Sequence, residues 1–404
     1  MQGNPVAGSS ATECPPPLSA SQTSQRAKHA RGGIIRPHMS KRLLLVSSLA
    51  FFLLGCGRAK TSRVLVLGLD GMDPQTVDLL MSEGKLPNFA KIRQSGAYSP
   101  LQSQEPLLSP VIWTTIATGK TPDQHRIGHF VAVNPETGGQ MPATSQMRKV
   151  KALWNILSDK GRTIDVVGWW ATWPAESVKG SIVSDHFAYH FLFEEGLTGD
   201  ENATGKTSPP DLVQKLKPDV KRPQDLTLQD VKPFIDVSAE EFAHPFDLQD
   251  DLSEFKWALS SAITYRNVGL DLWKKENPKN LFVYVEATDS TAHLFGHLFR
   301  AGPLAGELLE QQKRYGHAAE SMYLFADQIL GEYMKAMDKE TTLIVLSDHG
   351  FDLGQLPDDP SKLRNMRRVS ERFHKPTNQP AAGKVARPRA GRIRRYGSRA
   401  PNPI

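Results

Sequence analysis

Three apolar runs in this chain each end at or shortly before an aspartate, and this pattern constrains the fold more than any other feature. The runs are residues 64–69 (VLVLGL), 281–285 (LFVYV) and 342–346 (TLIVL), and the aspartates that follow them are Asp70, Asp289 and Asp348. Continuous apolar runs of this length are typical of parallel strands that are buried on both faces. An open α/β sheet binds its ligands beyond the carboxyl ends of its strands, so we expect the three carboxylates to converge there.

Two histidines accompany these aspartates. His293 follows Asp289 by four residues, and His349 follows Asp348 directly. Carboxylates and imidazoles together are the ligands of hydrolytic divalent-metal sites. Each motif alone has a simpler interpretation, since Asp70 could belong only to a turn, and Asp289 and His293 could form only a surface ion pair. Their occurrence together in one chain favours a metal site.

A serine–proline pair begins the segment SPVIWTTIATG at residues 109–119. A proline after a serine, followed by an apolar stretch that a glycine closes, predicts a helix with Ser109 at its N-cap and Pro110 at its first position. Ser109 could serve only as the cap of a buried helix. Alternatively, the positive end of the helix and nearby metal ions would stabilise its alkoxide, so that Ser109 could act as a nucleophile on an anionic substrate.

The sequence between these motifs is typical of an α/β domain at residues 63–377. Strands that alternate with helices predict a mostly parallel sheet with helices on both faces. Residues 188–251 are polar, contain several prolines and show no period, so we expect a cap or insertion over the crevice. The remaining predicted elements are a strand at 163–167 and helices at 74–83, 87–95, 152–159, 255–275 and 304–337.

The net charge of +6 comes from the two ends of the 404-residue chain. Residues 375–404 contain eight Lys or Arg and no acidic residue, and residues 1–38 contain four basic residues against Glu13. The rest of the chain is mildly acidic. Because the high pI is a property of the ends, it is no argument for a nucleic-acid partner, and we expect none.

The region before the first strand resembles a bacterial lipoprotein signal. A basic segment that begins at Met39 precedes the apolar run LLLVSSLAFFLL at residues 43–54, which Gly55 and Cys56 follow. The run has the length of a secretory signal and is short for a membrane span. The resemblance implies that residues 39–56 are a signal peptide and that residues 1–38 are a wrongly assigned leader. It also implies a lipid on Cys56 that anchors the protein to the bacterial cell envelope, facing the periplasm or the exterior.

The composition changes again at residues 378–404. This segment is rich in Ala, Pro, Gly and Arg and has no apolar period, so it cannot build a core. Two interpretations are open: a natural disordered tail, or a shifted reading frame that has replaced the remaining strands. The second is favoured, because a sheet with a strand at 342–346 normally continues beyond it.

Taken in order, the motifs resemble those of the alkaline phosphatase superfamily, and within it the type I phosphodiesterase/nucleotide pyrophosphatase family. They are DG at 70–71, the segment at 109–119, DxxxH at 289–293, DHG at 348–350 and a later His374. The resemblance implies an alkaline phosphatase-like fold and two divalent metal ions, with zinc favoured. The ligands that it implies are Asp70, Ser109, Asp348 and His349 for one ion, and Asp289, His293 and His374 for the other.

The same resemblance implies hydrolysis of small phosphodiesters or nucleotide pyrophosphates, with Ser109 as the nucleophile that forms a covalent phosphoryl-enzyme. The family usually has threonine at this position and an asparagine shortly after it, where this chain has HRIGHF at 125–130. No arginine is placed to recognise a terminal phosphate. Monoesterase activity is therefore harder to assign. Phosphomonoesters and phosphonates stay open as alternative substrates, as does the alternative of a non-catalytic surface lipoprotein or truncated pseudoenzyme. The sequence leaves the oligomeric state open.

The lipoprotein hypothesis predicts the mass of the mature N-terminus. In a bacterial host with a lipoprotein pathway, the chain should be cleaved after Gly55 and carry a diacylglycerol on Cys56, whereas a Cys56→Ser variant should lack that modification. Mass spectrometry of the N-terminal peptide from membrane fractions measures both. An unmodified chain that begins at Met1 would contradict the hypothesis.

Overall fold

The computed structural model describes residues 62–135, 138–188, 204–247 and 250–356. The predicted leader, signal peptide and C-terminal tail lie outside the described residues, and so do Cys56 and His374. Within the described ranges, no helix has both the length and the apolar character needed to cross a membrane.

Among the residues that the structure describes, the strands form one six-stranded sheet and one small ribbon. They are β1 (Val64–Leu69), β2 (Val131–Val133), β3 (Gln140–Pro142), β4 (Ile164–Val167), β5 (Gly180–Val183), β6 (Thr207–Ser208), β7 (Asn280–Val285) and β8 (Thr342–Leu346). The order in the large sheet is β6-β5-β4-β7-β1-β8, and β2 pairs with β3 in the ribbon. The large sheet is parallel except for β6, which runs antiparallel to β5. The predicted mostly parallel α/β fold is therefore confirmed.

Helices of very different lengths surround the sheet. The α-helices are α1 (Pro74–Ser82), α2 (Pro87–Ser95), α3 (Ser109–Thr118), α4 (Pro122–His125), α5 (Leu153–Asp159), α6 (Leu212–Lys215), α7 (Leu228–Val231), α8 (Ala239–Phe242), α9 (Asp251–Lys275), α10 (Ala287–Phe295), α11 (Gly306–Tyr315) and α12 (Ala318–Ala336). Short 3₁₀ turns lie at Ser145–Met147, Asp185–Phe187, Lys217–Asp219, Pro223–Asp225 and Gly296–Leu298.

Two predicted helices differ from the structure at identifiable residues. The single helix expected at 304–337 is two helices, α11 and α12, which Gly316 and His317 separate. Glycine disfavours a helix interior because of its backbone freedom, and the break falls there. Helix α9 begins four residues before the expected start at 255, since the Asp250 side chain accepts a hydrogen bond from the Ser253 backbone N–H at 3.0 Å and caps it.

Alternate residues of β1 show how the sheet divides the core. Leu65 and Leu67 pack in one apolar cluster with residues of α9 and α12, whereas Val66 packs in a second cluster with residues of α3 and α5. This alternation follows from the two-residue period of a strand. Both faces of the sheet are thus covered along β1 and β7, which explains why those two sequence runs are apolar throughout. Strand β8 differs from the prediction: among the described residues it is only partly buried, and Ile344 is 45% exposed.

Part of the segment predicted as a cap joins the main core. Residues 204–247 supply β6 to the sheet, and their Leu212, Val231 and Ile235 side chains are buried in the same cluster as α9. Apolar residues on short helices and turns make this packing possible, although the sequence of the segment shows no extended hydrophobic periodicity. A role in covering the crevice stays a prediction.

Gly68 in β1 leaves a slot in the sheet that Trp113 of α3 occupies. Gly68 is paired with Tyr284 on one side and Leu346 on the other. A Cβ atom on Gly68 would lie 2.8 Å from two ring carbons of Trp113, closer than van der Waals contact permits. The missing side chain therefore lets the indole lie directly against β1, and this contact fixes helix α3 on the sheet.

A methyl group at position 68 tests this contact. We expect Gly68→Ala to lower the free energy of unfolding by about 1–3 kcal/mol, because the fully buried indole has little room to move. Urea unfolding followed by far-UV circular dichroism measures the loss. Gly128→Ala is the matched control, since a Cβ there would meet no atom within 4 Å. Equal stabilities of the two variants would contradict the proposed close contact.

Candidate active site

The strand order brings the three predicted carboxylates together. Strand β1 lies between β7 and β8, so the carboxyl ends of these three strands are neighbours. Asp70 follows β1 directly, Asp348 lies two residues after β8, and Asp289 lies in the first turn of α10, shortly after β7. The convergence that the sequence predicted is thus a consequence of the order of the strands.

Gly71 allows the three carboxylates to approach one another. It adopts a left-handed φ of 62°, and its backbone N–H donates to Asp348 Oδ1 at 3.3 Å. A Cβ atom on Gly71 would lie 2.7 Å from Asp289 Oδ1 and 2.9 Å from its Cα. The Asp70-Gly71 pair is therefore more than an ordinary turn, because its backbone packs against two of the other site residues.

His349 lies at the centre of the carboxylate cluster. Its Nε2 atom is 3.4 Å from Asp70 Oδ1, 3.6 Å from Asp348 Oδ2 and 3.7 Å from Asp289 Oδ1. Its other ring nitrogen, Nδ1, lies 2.9 Å from the Gly350 carbonyl oxygen. A proton on Nδ1 that donates to this carbonyl leaves the Nε2 lone pair pointing at the carboxylates, which is the arrangement of a metal-binding histidine.

Ser109 completes the cluster from the start of α3. Its hydroxyl donates to Asp70 Oδ1 at 3.4 Å and lies 3.5 Å from His349 Nε2. The expected N-cap position is wrong by one residue: Leu108 is the N-cap, and Ser109 is the first helical residue. Its side chain does not cap the helix, because the hydroxyl points toward Asp70. The simpler interpretation of Ser109 as only a capping residue therefore does not apply.

His293 lies at the outer edge of the cluster. Its Nε2 atom is 3.5 Å from Asp289 Oδ2, and 56% of its side chain is exposed. Its ring packs edge-on against Phe351, just beyond the strand-end motif of β8. The described residues thus bring together six of the seven predicted site residues; the seventh, His374, lies outside them.

The charges in the cluster perturb one another strongly. Burial raises the pKa of the Asp70 carboxyl, and the charge of Asp289 raises it further. Burial raises the pKa of Asp348 well above its ordinary value, and the charge of Asp70 adds to this effect. Burial by itself would lower the pKa of His349, but Asp70 and Asp289 raise it above its ordinary value. Three carboxylates around one imidazole leave an excess of buried negative charge.

The donor atoms fit a divalent cation. One oxygen or nitrogen from each of Asp70, Asp348 and His349 lies within 4.8 Å of the others. Asp289 Oδ1 and Asp348 Oδ2 are buried, and neither has a hydrogen-bond partner among the described residues. Buried carboxylate oxygens without donors are costly unless a cation neutralises them. Oxygen and imidazole ligands are those that zinc and related metals bind at hydrolytic sites.

Three residues that the sequence reasoning missed hold Asp70 in place. The Trp113 indole donates to Asp70 Oδ2 at 3.0 Å, the Tyr284 hydroxyl donates to the same oxygen, and the Thr288 hydroxyl donates to the Asp70 carbonyl. Trp113 carried a usable signal, because it lies one helical turn after Ser109 and shares its face. Tyr284 lies within an apolar run, where an aromatic residue is indistinguishable from ordinary core.

A model of the type I phosphodiesterase/nucleotide pyrophosphatase family matches residues 64–397 of this chain. The matched span is more than half of the chain and includes all seven predicted site residues. This family is metal-dependent, in agreement with the cluster of aspartate and histidine side chains. No curated protein matches the chain significantly.

Two solved structures are distantly similar. Phosphonoacetate hydrolase from Sinorhizobium meliloti 1021 is 16% identical over 72% of this chain and 57% of that one, with a TM-score of 0.43. Murine ectonucleotide pyrophosphatase/phosphodiesterase 5 is 15% identical over 71% of this chain and 57% of that one, with a TM-score of 0.37. This chain therefore spans 57% of the length of either structure.

Removing one carboxylate should separate fold stability from metal binding. Folding raises the pKa of Asp348, so ionised Asp348 destabilises the metal-free fold. The free energy of unfolding therefore falls as the pH rises above about 4. We expect Asp348→Asn to raise the metal-free unfolding free energy at pH 7.5, because the neutral amide removes the buried charge. We also expect the variant to lose most of the thermal stabilisation that zinc gives the wild type. Thermal melts with EDTA and with zinc measure both effects.

Asp165→Asn is the control for this experiment. Burial raises the pKa of Asp165 to about 6, and its Oδ1 accepts hydrogen bonds from Ser181 in the neighbouring strand. This variant also loses a buried charge, but away from the cluster, so its zinc-induced shift in Tm should equal that of the wild type. Equal shifts in Asp348→Asn and the wild type would remove Asp348 from the set of metal ligands.

Proposed function

We propose that this chain, which belongs to the type I phosphodiesterase/nucleotide pyrophosphatase family, hydrolyses small phosphodiesters or nucleotide pyrophosphates. The reaction takes place at the described cluster, with Ser109 as nucleophile. The position of Ser109 carries the proposal. Its buried hydroxyl stands at the first residue of α3, within 3.5 Å of both Asp70 and His349. A hydroxyl in this position serves no capping role, and its neighbours are a carboxylate and an imidazole that could hold a metal ion beside it.

The surroundings of Ser109 prepare its oxygen for attack. The hydroxyl donates to Asp70 Oδ1, so its proton points away from the helix and toward the cluster. The positive end of the α3 dipole favours negative charge on the serine oxygen and on an incoming phosphoryl group. Ser109 Oγ forms a bond to phosphorus while its proton moves toward Asp70 Oδ1, the acceptor of its hydrogen bond, and the bond to the leaving group breaks. Water then hydrolyses the phosphoryl-serine and restores the hydroxyl.

The proposed metal ligands fall into two sets. Asp70, Asp348 and His349, together with Ser109 Oγ, would hold one ion. Asp289 and His293 would hold a second ion together with His374, which lies outside the described residues. When bound, the two ions, for which zinc is favoured, neutralise charge on the attacking and leaving oxygens.

The proposed location is the bacterial envelope, with Cys56 as a lipid anchor. The support is the sequence from Met39 to Cys56, in which a basic segment, an apolar run and a terminal Gly-Cys occur in the order of a lipoprotein signal. The substrate would then be a small phosphate ester outside the cytoplasm. No nucleic-acid partner is proposed.

Hydrolysis of bis-p-nitrophenyl phosphate with added zinc tests the function. We expect Ser109→Ala to lower kcat at least about a thousandfold, because the covalent route is lost. Ser109→Thr, which retains a hydroxyl, should keep a substantial part of the activity. Zinc-induced shifts in Tm show whether each variant still folds and binds metal. Equal rates for Ser109→Ala and the wild type would rule out the serine nucleophile.

Parallel assays with p-nitrophenyl phosphate and with a phosphonate separate the substrate classes. A preference for the diester is the expected result. A higher rate on the monoester or on the phosphonate would reassign the substrate. A folded, zinc-binding wild type that hydrolyses none of the three would favour the alternative of a non-catalytic lipoprotein.

A further inference from the structure

The two oxygens of Asp70 have different environments. Oδ1 faces the cluster, where it accepts from the Ser109 hydroxyl and lies 3.4 Å from His349 Nε2. Oδ2 faces the interior, where Trp113 Nε1 at 3.0 Å and the Tyr284 hydroxyl both donate to it. Two donors satisfy the lone pairs of Oδ2 that lie in the carboxylate plane. Oδ1 is thus the oxygen that remains available to a cation and to the nucleophile.

The direction of the Tyr284 hydrogen bond is fixed from its other side. The Trp170 indole donates to the Tyr284 oxygen at 2.8 Å. A phenol has one hydrogen, and an indole N–H can only donate, so the Tyr284 hydrogen goes to Asp70. The result is a chain of donors from Trp170 through Tyr284 to Asp70, with Trp113 donating to the same oxygen. Each hydrogen bond to a carboxylate is of the stronger, charge-assisted kind.

Packing holds both donors rigidly. Trp113 and Tyr284 are fully buried, and their rings meet edge-on with centroids 5.1 Å apart. Gly68 pairs with Tyr284 across the sheet and leaves the space that the Trp113 ring fills. Trp113 also lies on α3, one turn after Ser109. One indole therefore sets the position of the Asp70 carboxylate relative to the helix that carries the nucleophile.

We propose that Trp113 and Tyr284 are positioning residues, which hold Asp70 Oδ2 and so reserve Oδ1 for the metal ion and the nucleophile. This inference rests on the proposed function, because it assigns these donors a purpose in the same site. Without the Trp113 and Tyr284 donors, the Asp70 carboxylate is free to rotate. Oδ1 is then no longer held in the direction of the metal ion. Metal affinity falls for that reason, even when the fold is intact.

Metal affinity of the purified mature protein tests the proposal without any need for turnover. Zinc affinity is measured by competition with a chelating dye, and cobalt absorption spectra report the geometry of the ligands. We expect Tyr284→Phe and Trp113→Phe each to weaken zinc binding 10- to 100-fold, the range typical for residues that hold metal ligands. Tyr284→Phe removes a single oxygen atom and decides the outcome if Trp113→Phe does not fold.

Two variants with the same chemical changes elsewhere are the controls. Tyr333 is fully buried and its hydroxyl donates to the Arg266 carbonyl, and the Trp154 indole donates to Glu176. Tyr333→Phe and Trp154→Phe should lower Tm but leave the zinc affinity within twofold of the wild type. A purely structural role would instead make the affinity follow Tm across all four variants.

The possible outcomes separate this inference from the proposed function. Zinc binding that is weaker in the Trp113 and Tyr284 variants, but not in the Tyr333 and Trp154 controls, supports the positioning role even if no substrate is hydrolysed. Unchanged zinc affinity in Tyr284→Phe, or an equal loss in Tyr333→Phe, overturns the positioning role while hydrolysis by the wild type is unaffected. A wild type that binds no zinc overturns the positioning role, and the hydrolysis assays then decide the proposed function independently.

Discussion

Uncompensated negative charge at the ends of three neighbouring strands is the constraint on which the rest of this structure depends. Asp70, Asp289 and Asp348 converge because β1 lies between β7 and β8. Burial makes the charges of Asp70 and Asp348 costly, and His349 provides at most one positive charge to offset the three carboxylates. Strands β1 and β7, which lead to Asp70 and Asp289, are buried and hold this arrangement in place. An arrangement that disfavours the metal-free fold is well suited to binding a cation.

The aromatic core on one face of the sheet has a second task beside packing. Trp113 and Tyr284 bury large apolar surfaces, and their polar atoms meet at Asp70. Buried indole and phenol groups need hydrogen-bond partners, and a buried carboxylate needs donors, so each satisfies the other. Gly68 makes this contact possible by leaving its space to the indole. Core packing and the geometry of the site are therefore one set of contacts in this protein.

Much of the fold could be predicted, because strong local signals agreed with the tertiary structure. The apolar runs at β1 and β8 have the bounds that their sequence indicates, and α2 begins at Pro87 and ends at Ser95 as expected. Predictions were less accurate where the signal depended on one residue. A single glycine divides the long helical pattern into α11 and α12. Residues 204–247 show no hydrophobic periodicity but nevertheless contribute side chains to the core. Short helices can bury single apolar residues without a repeating pattern in the sequence.

The sequence by itself determined the chemical types and the order of the site residues, because strand ends in a parallel sheet necessarily share one edge. It also determined that Ser109 lies at the start of a helix. Only the tertiary structure decided which oxygen of Asp70 faces the cluster, that Ser109 does not cap its own helix, and that Trp113 and Tyr284 support the site. Side-chain direction depends on contacts between residues far apart in the chain, and local sequence carries no record of those contacts.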